Sequence, residues 1–394
     1  MMQEVIRDHL AGRLDEYLAD LESLVNLDCG THNKSGVDRA AGLMRERLRR
    51  AGFTVRTLPL DDYGDCLEAT LTGSGTLRLL LLGHTDTVYP DGTAGLRPMV
   101  QRDGRIIGPG ANDMKAGLLA GVYAVEALLA SGWDDFAEIT FFCNSEEEIG
   151  SPVSSALYAD AARRADAALV LEAARENGDI VSARKGGALY RVTVSGHSAH
   201  AGVEPHKGAN AILQLSHHIQ ALQALNGLVP GTTVSVGVVR AGTVSNVVPD
   251  LATAEVDCRV THPEDIPRVE EALRQALSWS HVPGTTTTFQ GSFGAYPMAK
   301  TPAIALMAEL ARQTAAELGI DLVDEATGGV SDANKVAAFG TPALDGLGPI
   351  GGLDHNPGEY VEVASIVPRT ALLAGLIAAL GREREQLLAL KSVG

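Results

Sequence analysis

Apolar residues fall in two rhythms along this chain. Short continuous apolar runs, GTLRLLLLGH (75–84), EITFFCNS (138–145) and AALVLEA (167–173), have the length and uniformity of strands buried on both faces. Between them, MKAGLLAGVYAVEALLASG (114–132) has helical spacing and ends at a glycine, while SPVSSALYADAARR (151–164) opens on the Ser-Pro of a helix start. The acid-rich, amphipathic N-terminal stretch predicts an opening helix. Strand and helix signals thus alternate to about residue 185, which predicts an α/β sheet covered on both faces.

The rhythm then changes. ALYRVTVSG (188–196) alternates apolar and polar residues like a half-exposed strand, and NAILQLSHHIQALQAL (210–225) follows as an amphipathic helix. TTVSVGVVRAG (232–242) and DLATAEVDCRV (250–260) read as strands, PEDIPRVEEALRQALS (263–278) as a helix and TTTTFQGSF (285–293) as a last strand. The order β-α-β-β-α-β is the split, ferredoxin-like pattern. Gly186-Gly187 and the stretch from Gly291 to Pro297 are the expected hinges of this insert. From about residue 299 the α/β pattern resumes and ends in the helix VASIVPRTALLAGLIAALG. The expected class is therefore α/β. One discontinuous domain, 1–186 and 298–394, has a central sheet covered by helices, and a ferredoxin-like α+β domain, 187–297, is inserted in it.

A chain of 394 residues with 45% hydrophobic content suits two domains. It contains no run of 18 apolar residues, and its first segment lacks the basic and apolar regions of a signal peptide, so no membrane association is expected. A net charge of −17 opposes nucleic acid and anionic membranes. Four cysteines without a CxxC pair read as core-filling thiols in a reducing compartment, so a cytoplasmic location is the expectation.

Five side chains that can ligate metal lie at strand ends or in tight loops of the discontinuous domain: His84, Asp113, Glu148, Glu172 and His355. Two imidazoles and three carboxylates, one of them shared, suffice for a pair of divalent ions, and Glu147 stands beside them as a base. Each has a plainer reading on its own. His84 caps a strand, Asp113 caps a helix, and the run Glu146-Glu147-Glu148 is a solvated acidic turn. Glu172 pairs with Arg175 or Arg184, and His355 sits in a surface loop. Against these stand the geometry and the electrostatics. Residues two apart share a strand face, so Asp86 can accept the second ring N–H of His84. Three acids at one strand end repel unless cations offset them, and a lone acid in an apolar strand is costly unpaired.

GHTDTV, GANDMKAG, EEEIGS, the Glu172 strand, SGHSAHAG, SNVVPDLATAEVDCR and GGLDHNPGEYV together give the chain a family resemblance. It resembles the two-zinc metallopeptidases that include glutamate carboxypeptidases, aminoacylases, acetylornithine deacetylases and succinyl-diaminopimelate desuccinylases, and looks most like the bacterial glutamate carboxypeptidase branch. The resemblance covers nearly the whole length. It implies a catalytic domain with a mixed sheet and a lid through which two subunits dimerise. It implies two zinc ions per subunit, with cobalt or manganese as alternatives, one held by His84 and Glu172, the other by Glu148 and His355, and Asp113 bridging. Asp86 would orient His84, and Glu147 would be the general acid/base acting on a bridging water. The peptide bond before Asp113 would be cis. His200 would reach the partner's site and stabilise the oxyanion, with Asn246 beside it. Arg259 and the turn at Gly329, in Gly328-Gly329 and Ser331-Asp332, would hold a substrate carboxylate.

The implied activity is cleavage of an amide or peptide bond next to a free-carboxylate amino acid in a small molecule or short peptide. The same machinery serves N-acyl-amino-acid deacylases and N-carbamoyl amidohydrolases. Gly294-Ala295-Tyr296-Pro297-Met298 lacks the arginine that several relatives have there, which bears on recognition of a glutamate side chain.

Overall fold

A computed structural model describes residues 2–391. The chain divides into two compact units. One comprises the chain up to Ala183, Lys300–Thr327 and the chain from Ser331 onward; the other is Arg184–Ala299 with Gly328–Val330.

The first unit is built on a six-stranded mixed sheet. Its order is Thr54–Leu58, Cys66–Thr72, Glu138–Asn144, Arg78–His84, Ala167–Val170, Ala343–Leu344. The last four run parallel, and the first two extend the sheet antiparallel on one side. The three apolar runs are its centre. Leu79–Leu82, Phe141, Phe142 and Ala167–Leu171 are buried, as strands covered on both faces must be. These two antiparallel strands have no counterpart among the expected elements. TVRTL and CLEATLT mix polar and apolar residues too closely for burial on both faces. The expected opening helix is two, Met2–Ala11 and Leu14–Val25, divided at Gly12-Arg13.

Helix Ala116–Ala130 is apolar all round and buried on nearly every side, as a central helix should be. It packs so closely that a Cβ on Gly117 would lie 1.8 Å from the carbonyl oxygen of Leu171. Glycine there lets the helix approach the strand end that carries Glu172. Helix Val363–Arg382 is apolar and long enough to cross a membrane, yet lies mostly buried in the core of this unit.

A small four-stranded sheet joins Gly351–Gly352, Tyr360–Glu362, Arg105–Ile107 and Val100–Arg102. The pairs Tyr360↔Ile107 and Val361↔Ile106 lock the loop bearing His355 to the segment that leads into Asp113.

The second unit is a four-stranded antiparallel sheet in the order Thr233–Ala241, Leu251–Val260, Gly186–Ser195, Thr286–Ala295, with helices Ala211–Gln223 and Ile266–Leu277. This is the ferredoxin-like arrangement. Val192, Val194, Ala252, Ala254 and Val256 alternate inward and pack with Leu215, Leu222, Val269 and Leu273 of the helices.

Arg369 is a buried cation in the first unit. It donates to the carbonyls of Gly178 at 2.7 Å, Gly346 at 2.7 Å and Gly348 at 3.1 Å, and burial pulls its pKa down to about 10. Gly348 in turn donates its N–H to the carbonyl of Glu172. Arg369→Met leaves three buried carbonyls unpaired and is expected to cost about 3 kcal/mol or more of stability. Urea unfolding checks this, and a loss under about 1 kcal/mol would contradict the assigned role.

Candidate metal centre

Three neighbouring parallel strands end at one place. His84 closes the first and pairs in register with Asn144, the last residue of the second; Glu147 and Glu148 follow at once, and Glu172 lies two residues past the third. Ligands collect at such carboxyl ends in open α/β sheets. Asp113 arrives from the loop before helix Ala116–Ala130, and His355 from the small sheet.

These residues form two triads, His84–Asp113–Glu172 and Asp113–Glu148–His355, each with one donor atom per residue within 4.8 Å of the others. Asp113 is common to both. Its Oδ1 lies 3.0 Å from His84 Nε2 and its Oδ2 lies 3.1 Å from His355 Nε2, so the two oxygens face different imidazoles. Glu172 Oε1 is 3.7 Å from His84 Nε2, and Glu148 Oε2 is 3.3 Å from His355 Nε2. Glu172 thus faces His84, while Arg175 bonds Glu325 and Arg184 bonds the carbonyl of Gly329. Glu148 Oε1 is buried without a hydrogen-bond partner. A buried carboxylate oxygen left unpaired in a nest of ligand atoms fits a divalent cation.

The electrostatics agree. Burial alone would lower His84, but hydrogen bonds to Asp113 and Asp86 hold it well above the ordinary histidine value. Hydrogen bonds to Asp113 and Glu148 push His355 up to about 10. Burial would raise Asp113, yet its bonds to His355 and His84 hold it well below the carboxylate range. Burial, reinforced by Asp113, raises Glu172 and Glu148, although the imidazoles oppose it. Glu147 is also raised by burial; the His84 ring opposes this and Asp332 adds to it. In effect, the surrounding acids favour positive charge at both imidazoles, where metal charge would serve the same end.

Asp86 does more than orient His84. His84 Nδ1 lies 3.0 Å from the Asp86 carbonyl oxygen and 3.3 Å from its Oδ1, so the main chain shares the task expected of the carboxylate. That carboxylate, only 1% exposed, also accepts the Thr31 hydroxyl and the backbone N–H groups of Glu147 and Glu148. One side chain thus fixes both the first imidazole and the turn that bears the base.

Three residues here had no such role in the sequence reading. Glu146 accepts the N–H groups of Val153 and Ser154 and caps the helix Ser154–Arg164, which separates it in kind from Glu147 and Glu148. Asp332 is buried, where it accepts from Asn144, Ser151 and Tyr158. Glu359 accepts the N–H groups of Gly110, Asn112 and Asp113 and the hydroxyl of Tyr89, at 2.7–3.0 Å. The only signal for Glu359 was an acid four residues beyond His355. The cis peptide bond lies at Asp113–Met114, one bond later than expected. The N–H groups on either side of the Asn112 residue plane, those of Asn112 and Asp113, both turn to one oxygen of Glu359.

His200, Asn246, Arg259 and Gly329 all belong to the second unit. His200 is exposed, and its Nδ1 accepts the N–H groups of Gly202 and Val203 at 3.2 Å, which leaves the proton of the neutral ring on Nε2. The bond from Ala201 N–H to the Asn246 carbonyl holds this turn beside exposed Asn246. Arg259 is not an open fork. Its Nε and Nη2 bond Asp257, and Nη1 lies 3.4 Å from the Gly328 carbonyl.

Fold and site together define a hydrolytic metalloenzyme. Residues 80–379 match Peptidase family M20/M25/M40, and the chain belongs to that family. It is 30% identical over 370 residues to carboxypeptidase G2 of Pseudomonas sp. (strain RS-16), covering 92% of this chain and 88% of that protein. It is 30% identical over 352 residues to succinyl-diaminopimelate desuccinylase of Bordetella petrii, covering 83% and 88%. A tripeptidase from Staphylococcus aureus shares the fold at a TM-score of 0.81, with 22% identity over 94% of this chain and 99% of that one. The protein is thus a metal-dependent hydrolase of the peptidase and amidohydrolase kind.

Imidazoles must be neutral to ligate metal. His355 keeps its proton up to about pH 10 in the metal-free chain, so metal uptake at neutral pH is expected to release protons and to tighten as pH rises. Calorimetry in buffers of different ionisation heat measures this. Heats independent of buffer would contradict it.

Proposed function

We propose that this enzyme is a two-zinc hydrolase that cleaves an amide bond next to an amino acid bearing a free carboxylate. The observation that carries the reading is Asp113, whose two oxygens each face a different imidazole while Glu147 stands beside the cluster. His84, Glu172 and Asp113 would hold one ion, and Glu148, His355 and Asp113 the other. When bound, the pair supplies Lewis acidity and lowers the pKa of water toward neutrality.

The chain's own residues do the rest. Glu147 takes the proton of the attacking water and returns it to the leaving amine, a role that suits a carboxylate raised above its usual range. Asp86 keeps Glu147 in place through its backbone N–H. His200, with an Nε2–H at an exposed turn, suits oxyanion stabilisation across a homodimer. Arg259, beside the turn at Gly328-Gly329, suits a substrate carboxylate, as part of that same proposal.

Similarity to carboxypeptidase G2 supports exopeptidase cleavage, and similarity to a desuccinylase supports deacylation of an N-acyl amino acid. The missing arginine in Gly294–Met298 favours the second. Glu147→Ala is expected to lower kcat by about 100- to 10,000-fold while metal content stays unchanged. Metal analysis beside steady-state kinetics checks both. Wild-type turnover in that variant would remove Glu147 from the mechanism.

A further inference from the structure

A cavity of about 520 Å³ opens beside Glu148 within the first unit. Gly30–Asn33 form one wall, Thr87–Asp91 the other, and Glu148 and Ile149 the inner end. It has the size of a small-molecule site. Its inner end is a residue of the metal cluster, so a ligand lying in it reaches the reacting centre.

The walls are preformed. Gly30 and Thr87 make a parallel bridge, flanked by bonds from Thr31 N–H to the Thr87 carbonyl at 3.1 Å and from Thr87 N–H to the Cys29 carbonyl at 2.9 Å. A Cβ on Gly30 would lie 2.3 Å from the Tyr89 carbonyl oxygen, so this approach requires glycine. Asn33 caps the helix Lys34–Arg50 and donates to Asp91 at 2.6 Å, which closes the rim. Tyr89 is tied by its hydroxyl to Glu359, the carboxylate that also holds Asp113.

The lining has one chemical character. Val88 is 42% exposed and Ile149 is 40% exposed, two branched apolar side chains left open beside Pro90 and Tyr89. Its acids are Asp91 and Glu148, and neither lysine nor arginine lines it. Lys34, next along the chain, is taken up by Asp65 and Asp38, and Arg97 lies against the Tyr89 ring. Besides Tyr89, the ionisable lining is Asp91, Glu148 and His32, and Glu148 would be taken up by a metal ion, so what the cavity offers a ligand is chiefly its apolar surface. The end of the amide without the free carboxylate therefore suits this cavity better.

We infer that this cavity is the acyl subsite and that it takes an uncharged apolar acyl group such as a short alkyl chain or an arylacetyl group. The inference rests on the amide-hydrolase reading above. It separates this chain by substrate from its desuccinylase relatives, since the charged end of a succinyl group gains nothing from Val88, Tyr89, Pro90 and Ile149.

The test has two arms on the full chain. With zinc-loaded enzyme, kcat/KM is measured for N-acetyl, N-pentanoyl, N-hexanoyl, N-phenylacetyl and N-succinyl derivatives of alanine, glutamate and lysine. Pentanoyl, hexanoyl and phenylacetyl are expected to exceed acetyl by about 10-fold or more, and succinyl to fall about 10-fold or more below pentanoyl. Val88→Arg, and separately Ile149→Arg, at two exposed positions, should lower the apolar series about 10-fold relative to acetyl and raise succinyl relative to pentanoyl. A flat acyl series or a wild-type preference for succinyl overturns the inference. In the second arm, saturation-transfer NMR follows hexanamide binding to metal-free protein, with Val88→Arg as control. Binding lost in the variant supports the subsite, and absence of binding to the wild type overturns it whatever the turnover. Binding without turnover of any derivative sinks the hydrolase reading and leaves the subsite standing.

Discussion

The site depends on one buried carboxylate, Glu359, and on what it gathers. It is 1% exposed, and burial raises it above the ordinary carboxylate value, which four donors partly offset. Those donors are the N–H groups of Gly110, Asn112 and Asp113 and the hydroxyl of Tyr89. A hydrogen bond to a charged group contributes about 1.5–3 kcal/mol, so the set offsets a large desolvation cost. Its consequence is geometric. The loop that bears the shared ligand is held from behind, and its two side-chain oxygens are left free to face two imidazoles. Tyr89 carries the same restraint into the wall of the neighbouring cavity.

Around that anchor the sheet supplies the rest. Adjacent parallel strands end together, so residues far apart in sequence meet with little loop between them. The cluster concentrates acid: Asp86, Asp113, Glu147, Glu148 and Glu172 against two histidines. In a low-dielectric pocket such an excess is unfavourable without cations. The raised histidines and the unpartnered Glu148 oxygen are two expressions of the same demand. Positive charge is what the fold is built to receive.

Much of this was legible in the sequence because it rests on local signals. Uniform apolar runs marked the central strands, and a ligating side chain at the end of each marked the site. Alternation marked the inserted sheet. What escaped depends on tertiary pairing. The antiparallel strands Thr54–Leu58 and Cys66–Thr72 mix residue types because only the sheet gives them partners. Three consecutive glutamates cannot be told apart by type; Glu146 turns to a helix start and Glu147 and Glu148 toward the cluster. Glu359 and Asp332 act on backbone and hydroxyl groups brought from more than a hundred residues away, and no spacing rule reports such contacts. The pairing of Arg259 with Asp257, two residues earlier on its own strand, also went unread in the sequence.

The most direct measurement is the zinc stoichiometry of metal-stripped protein at equilibrium, for the wild type and for Asp113→Ala. The account predicts about two ions per wild-type chain and loss of tight binding at both positions in the variant, because one carboxylate serves both. A wild type that holds a single ion, or a variant that keeps one ion at unchanged affinity, would contradict a shared centre.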